Sequence, residues 1–217
     1  MRLFKNSATP PDEQWFNEGE YFHTSKSNSI ILSPALPEKP LVFKGNRMKV
    51  SPGQKLTFFL KIPLNVQIYT SKNLPENLLK EIPSRQLSHT WFGEPDEGEI
   101  ALTYGSDFFL DFGTVEPSPL EAICPVTIVN NSTGPLELQR LIIRVENLIL
   151  YQNQNKKVTS EVEISFEGQD SVNSAEYHYS KNYDGEKQEI LAKPRSDNGK
   201  NLLKMNLHFI KNIYKTE

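Results

Sequence analysis

The densest set of chemically capable side chains lies between His89 and Glu99. The run reads His89-Thr-Trp-Phe-Gly-Glu-Pro-Asp-Glu-Gly-Glu99, and four of its carboxylates fall within six positions, 94 to 99. Clustered carboxylates can ligate a hard cation through oxygen, but the twelve-residue pattern of a helix–loop–helix calcium site is missing. Two carboxylates beside the His89 imidazole could also divide acid and base roles in a hydrolase, although no motif fixes their geometry. The plainer reading is a solvated hairpin loop whose turn is set by Pro95 and Gly98. Trp91 and Phe92 stand at its entrance. Neighbours on a strand point to opposite faces, so one ring goes to a core and the other to a surface. An exposed ring there would serve as a protein-contact anchor or a platform for a sugar. In the sugar case Asp96, Glu97 or Glu99 would accept from hydroxyls. His89, Trp91, Phe92, Asp96, Glu97 and Glu99 are therefore the candidate ligand- or partner-binding residues.

Other chemistries find less support. His23, His89, His178 and His208 show no metal-ligand spacing. Cys124 is the one cysteine, so no internal disulfide forms. It precedes Pro125 in an apolar run and has no sequence neighbour that would stabilise a thiolate, so it reads as a buried small side chain. There is no Gly-x-Ser-x-Gly elbow and no glycine-rich phosphate loop. No catalytic residue, metal or cofactor is expected. The chain has 24 Lys and Arg against 27 Asp and Glu, a net charge of −3. That balance carries no footprint of a nucleic-acid binder.

These residues need a frame, and the frame reads as β. Doublets of aromatics recur at Trp15-Phe16, Tyr21-Phe22, Phe58-Phe59, Trp91-Phe92 and Phe108-Phe109. Short runs between Pro, Gly, Asn and Ser are expected as strands: 29–33, 41–44, 55–61, 64–70, 99–104, 107–112, 125–130, 136–145, 148–151 and 156–166. The run 64–70 alternates strictly, with Leu64, Val66 and Ile68 in one phase and Asn65, Gln67 and Tyr69 in the other. Ser160 is a polar gap in the phase of Val158, Val162, Ile164 and Phe166. Gly45-Asn46 and Gly105-Ser106 are expected turns, and Pro75 opens a short helical turn.

A length of 217 residues suits one large domain or two small ones. The proline-bearing stretch 113–124 is the best linker, dividing an N-terminal β-sandwich-like domain (1–112) from a C-terminal one (125–217). Residues 181–199 read as polar and turn-rich. Leu203, Leu207, Ile210 and Tyr214 recur at helical spacing, so a C-terminal amphipathic helix is expected, with a strand over 202–214 the alternative. The N-terminus lacks the apolar core of a secretory signal, and no run reaches the roughly 20 apolar residues of a membrane span. The expectation is a soluble cytoplasmic chain without a transmembrane segment.

Three stretches carry a family likeness: Ile62-Pro-Leu-Asn-Val-Gln-Ile-Tyr69, His89-Thr-Trp-Phe-Gly93 and Gly98-Glu-Ile-Ala-Leu-Thr-Tyr104. With Val126–Asn130 and Leu148–Tyr151 they resemble an uncharacterised prokaryotic family, the domain-of-unknown-function family 432. Thr103 stands where that family tends to carry a small or basic residue. The resemblance implies an intracellular protein rich in β-structure and implies no substrate.

The reading is a mainly β protein without catalytic machinery, acting as a protein-interaction or scaffold module. The alternative is a β-sandwich that binds a small molecule or carbohydrate, and a hydrolase is the third. The implied partner is an unidentified protein or small ligand.

Overall fold

Alternation and proline placement set most strand boundaries. The computed structural model describes residues 22, 29–93, 95–96, 98–168, 174–179 and 188–195. In chain order the strands are β1 (Ile30–Ala35), β2 (Leu41–Val50), β3 (Lys55–Pro63), β4 (Asn65–Thr70), β5 (Leu78–Pro83), β6 (Ser88–Phe92) and β7 (Glu99–Gly105). They continue with β8 (Glu121–Asn130), β9 (Leu136–Ile143), β10 (Leu150–Asn153), β11 (Lys156–Thr159), β12 (Glu161–Phe166), β13 (Ser174–His178) and β14 (Gln188–Ala192). Helical structure among the described residues is limited to three single 3-10 turns, at Pro75–Asn77, Phe112–Thr114 and Val145–Asn147. The protein is mainly β. The helix expected near the C-terminus lies outside the described residues. No described helix is long and apolar enough to cross a membrane.

The described strands form three sheets. One has the order β1-β4-β5 and another β6-β7-β2-β9. The largest runs β13-β12-β8-β11-β10-β14, with β3 paired to β8. β8 is buried along nearly its whole length and is the centre of the molecule. Its Pro125 lacks a ladder donor, which normally excludes proline from a central strand. The position tolerates it because Phe59, opposite Pro125, spends both backbone groups on Phe109, at 2.7 and 3.0 Å. Phe59–Pro125 is thus a non-hydrogen-bonded pair, and the proline nitrogen faces away from β3. On that side β8 pairs first with β11 and then with β12. The changeover is at Ser160, whose hydroxyl accepts from the Ile149 N–H at 2.9 Å and whose own N–H goes to the Ile149 carbonyl. The run 156–166, expected as one strand, is therefore two, and the polar gap at Ser160 is the break between them.

Several expectations are corrected. Gly45-Asn46 is no turn. β2 runs through it with a register shift between Lys44 and Met48. Gly45 lies under the Phe108 ring, where a Cβ would come within 2.8 Å of the ring carbons. Residues 107–112 form no strand and no hairpin with β7; Phe109 makes a single bridge to Phe59. The polar stretch 181–199 contains β14, paired to β10. The expected linker 113–124 contains the start of β8 at Glu121. Sheet pairing crosses that stretch twice, β3 with β8 and β2 with β9, and one core draws on both sides of it.

The aromatic doublets show how both faces of a strand are covered. Phe58 enters the main core against Phe108, with ring centres 5.1 Å apart. Phe59 enters a second cluster with Val115, Ile123 and Val158, against Phe112 at 5.6 Å. Both rings of this doublet are buried, on opposite faces.

Cys124 lies on β8, fully buried beside Thr159. Burial pushes its thiol up to about 12. We expect no reaction with a thiol reagent in the native protein and full reaction in denaturant, followed by absorbance. Labelling of the native chain at the rate of a free thiol would contradict this placement.

Candidate functional site

Strands β6 and β7 pair antiparallel with Trp91 opposite Ile100 and His89 opposite Leu102. Directly opposed residues share a face. Trp91 is 47% exposed and Ile100 56%. Together they form an apolar spot on a strand pair at the edge of the four-stranded sheet. His89, two residues from Trp91, lies on that same face and is exposed.

Phe92 points the other way and is buried. The Arg140 guanidinium lies 5.3 Å from its ring centre. Arg140 also donates to the Trp91 carbonyl at 3.1 Å and to the Thr90 hydroxyl at 3.2 Å. It comes from β9, the opposite end of the sheet order, so it ties the sheet's two outer strands together. Phe92 thus belongs to the core rather than to a contact surface, and one anchor of the doublet remains outside.

The carboxylates separate. Glu99 is held in a two-pronged ion pair by Arg144, which donates through both terminal nitrogens. Burial disfavours the Arg144 charge, but the Glu99 bonds and charge outweigh it and raise the guanidinium above its usual range. Asp96 is exposed in the turn between β6 and β7. Glu94 and Glu97 lie outside the described residues. No three His, Cys, Asp or Glu side chains among the described residues come together as a metal-binding set.

His89 meets a cation instead of a carboxylate. The Lys39 ammonium stands 3.1 Å from its Nε2, and an ammonium can only donate in such a contact. Backbone positions the lysine: the Pro40 carbonyl accepts from the Leu102 N–H at 2.9 Å, which lays residue 39 beside β7. The Lys39 side chain then crosses β7 to reach β6. Among the described residues it has no carboxylate partner.

A second polar centre was missed by sequence reasoning. Glu121 is 4% exposed and accepts from the Tyr104 hydroxyl at 2.7 Å, the Ser118 N–H at 2.9 Å and Arg85 at 3.1 Å. Burial works against its charge, yet these donors hold it below its ordinary range. Burial, then the Glu121 bond, push Tyr104 up to about 12. Every strong acceptor here has a donor from the chain itself, which marks a structural network. The only sequence signal was a carboxylate placed just ahead of an apolar run.

No curated protein and no solved structure matches the chain. The sequence profile of a family described as a protein of unknown function (DUF432) matches residues 9–211. That span takes in every described strand and the whole of the Trp91 surface, and the chain belongs to this family.

Proposed function

We propose that the protein is a non-enzymatic interaction module that docks a protein segment on the exposed face of β6 and β7. The observation that carries this reading is Trp91, a large ring held outside the core on a strand whose next residue is buried. Tryptophan is enriched among residues that dominate binding energy. Arg140 and the β7 pairing hold its backbone in place, so little order is lost on docking. The carbohydrate reading loses a hydroxyl-binding group, because Glu99 is committed to Arg144. The hydrolase reading loses its pairing, because His89 faces Lys39.

The test compares capture on the native chain, a Trp91→Ala chain and a Leu110→Ala chain, followed by titration of the purified partner. Leu110 is also exposed, but it belongs to neither β6 nor β7 and follows Phe109, which bridges β3. Trp91→Ala should weaken binding at least about tenfold, on the scale of interface anchors. Leu110→Ala should leave it unchanged. Equal binding by all three chains would rule out this surface.

A further inference from the structure

We infer that the β6–β7 surface recognises a segment carrying an apolar side chain next to a carboxylate; this rests on the interaction reading above and names its partner class. Two independent observations converge. The first is the exposed apolar pair of Trp91 and Ile100. The second is the Lys39 ammonium, which has the His89 ring for company and no carboxylate among the described residues. The neighbouring Glu38 does not neutralise it, since Glu38 reaches Arg195 instead. Among the described residues, the carboxylates of β7 and of the β6–β7 turn do not help either. Glu99 is occupied by Arg144, and Asp96 is in the turn beyond the far end of β6.

The spacing gives the recognised segment a polarity. His89 and Trp91 are two residues apart, about 7 Å along a strand. A carboxylate seated on Lys39 would therefore lie about 7 Å from an apolar side chain packed on Trp91. At the opposite end the acidic turn at Asp96 disfavours a second carboxylate. The surface thus reads acid, then apolar, then neutral or basic, from His89 toward the turn. Complementary charge of this kind selects partners and fixes register more than it adds raw affinity.

The test uses a random peptide library displayed against the immobilised full chain. Enriched peptides are then labelled and titrated by fluorescence polarisation. The expected result is a consensus of Asp or Glu near an apolar residue. Binding should fall at least tenfold with Trp91→Ala and with Lys39→Glu. The Lys39→Glu chain should recover affinity for the peptide whose acidic residue is replaced by lysine. Peptides lost with Trp91→Ala but indifferent to Lys39→Glu would overturn the acidic partner class and leave the interaction reading standing. Enriched peptides that ignore Trp91→Ala, or no enrichment at all, would overturn both. Lys39 and Trp91 are exposed, and circular dichroism of each variant confirms that it folds.

Discussion

Replacing Glu121 by alanine is expected to lower the thermal midpoint by about 6–12 °C, read by circular dichroism. The substitution leaves the buried Tyr104 hydroxyl and the Ser118 N–H without their acceptor. Hydrogen bonds to a charged group contribute about 1.5–3 kcal/mol each, and an orphaned buried group carries its own desolvation cost. Arg85 adds little, because its side chain is more than half exposed. A loss of about 3 kcal/mol follows, and each kcal/mol moves the midpoint by about 2–4 °C at this chain length. Glu121→Gln keeps an acceptor and should cost less. A shift under about 2 °C for the alanine variant would show that the network is not holding β7 to the start of β8.

The same carboxylate predicts an acid dependence. In the folded chain it sits below its ordinary value of 4.5, because donors overcome the burial that would raise it. Its stabilisation is fully present above that ordinary value. As pH falls below 4.5 the unfolded chain takes up the proton first, and the contribution is lost as pH passes down through the folded value. The stability gap between the native and Glu121→Ala chains should therefore narrow on acidification. A gap independent of pH between 3 and 7, on the order of magnitude expected for a depressed carboxylate, would contradict the assignment.

Arg195→Ala should loosen one sheet more than it unfolds the molecule. The Arg195 backbone N–H is bonded to the Glu146 carbonyl at 2.8 Å, and its side chain reaches across to the Leu36 carbonyl at 2.7 Å and to Glu81. It thereby fastens β1-β4-β5 to the chain that follows β14. Glu81 also accepts from Asn65 at 2.5 Å and from Gln67 at 2.7 Å. Burial opposes its charge, and Arg195 with the two amides lowers it nonetheless. Without the guanidinium, a half-buried carboxylate keeps only neutral donors. Amides of β4 and β5 should exchange with solvent at least about tenfold faster by mass spectrometry, equivalent to about 1.4 kcal/mol of local stability. Glu38→Ala removes only the exposed arm of the cluster and should leave exchange within a factor of about two. Equal exchange in the native and Arg195→Ala chains would show that other contacts hold this sheet.

The β4 strand shows what pattern alone can and cannot deliver. Its alternation was legible, and the strand is where the period of two put it. The polarity of its faces was not. Val66 and Ile68 lie with Leu32 and Ile82 on a face where Leu32 is 61% exposed and Ile82 43%. Asn65, Gln67 and Tyr69 turn toward Glu81 and the buried Ser33 and Ala35. A period fixes that two faces differ. On the inward face Glu81 meets Arg195, 114 residues further along the chain, a partner no local pattern announces.

The candidate surface divides in the same way. That Trp91 and Phe92 would part to opposite faces followed from strand geometry. Which ring stayed outside did not: Phe92 packs into the core under the guanidinium of Arg140, which lies 49 residues beyond Trp91 and caps its carbonyl. Lys39 carried no signal within its proline-rich stretch. It joined His89 where the Pro40 carbonyl and the start of β2 pair with β7. Glu99 looked available beside the acidic turn until Arg144 claimed it.

Residue order by itself therefore determined the β class, most strand positions and the opposed rings at 91 and 92. Those features depend on short-range sterics: period-two side-chain direction and proline's missing donor. Tertiary structure alone decided the join across 113–124, the split of the expected 156–166 strand at Ser160, the inward face of β4, the Glu121 network and the cation beside His89. Each of these rests on charges and hydrogen bonds between residues far apart in the chain, and no local pattern records which distant partner will arrive.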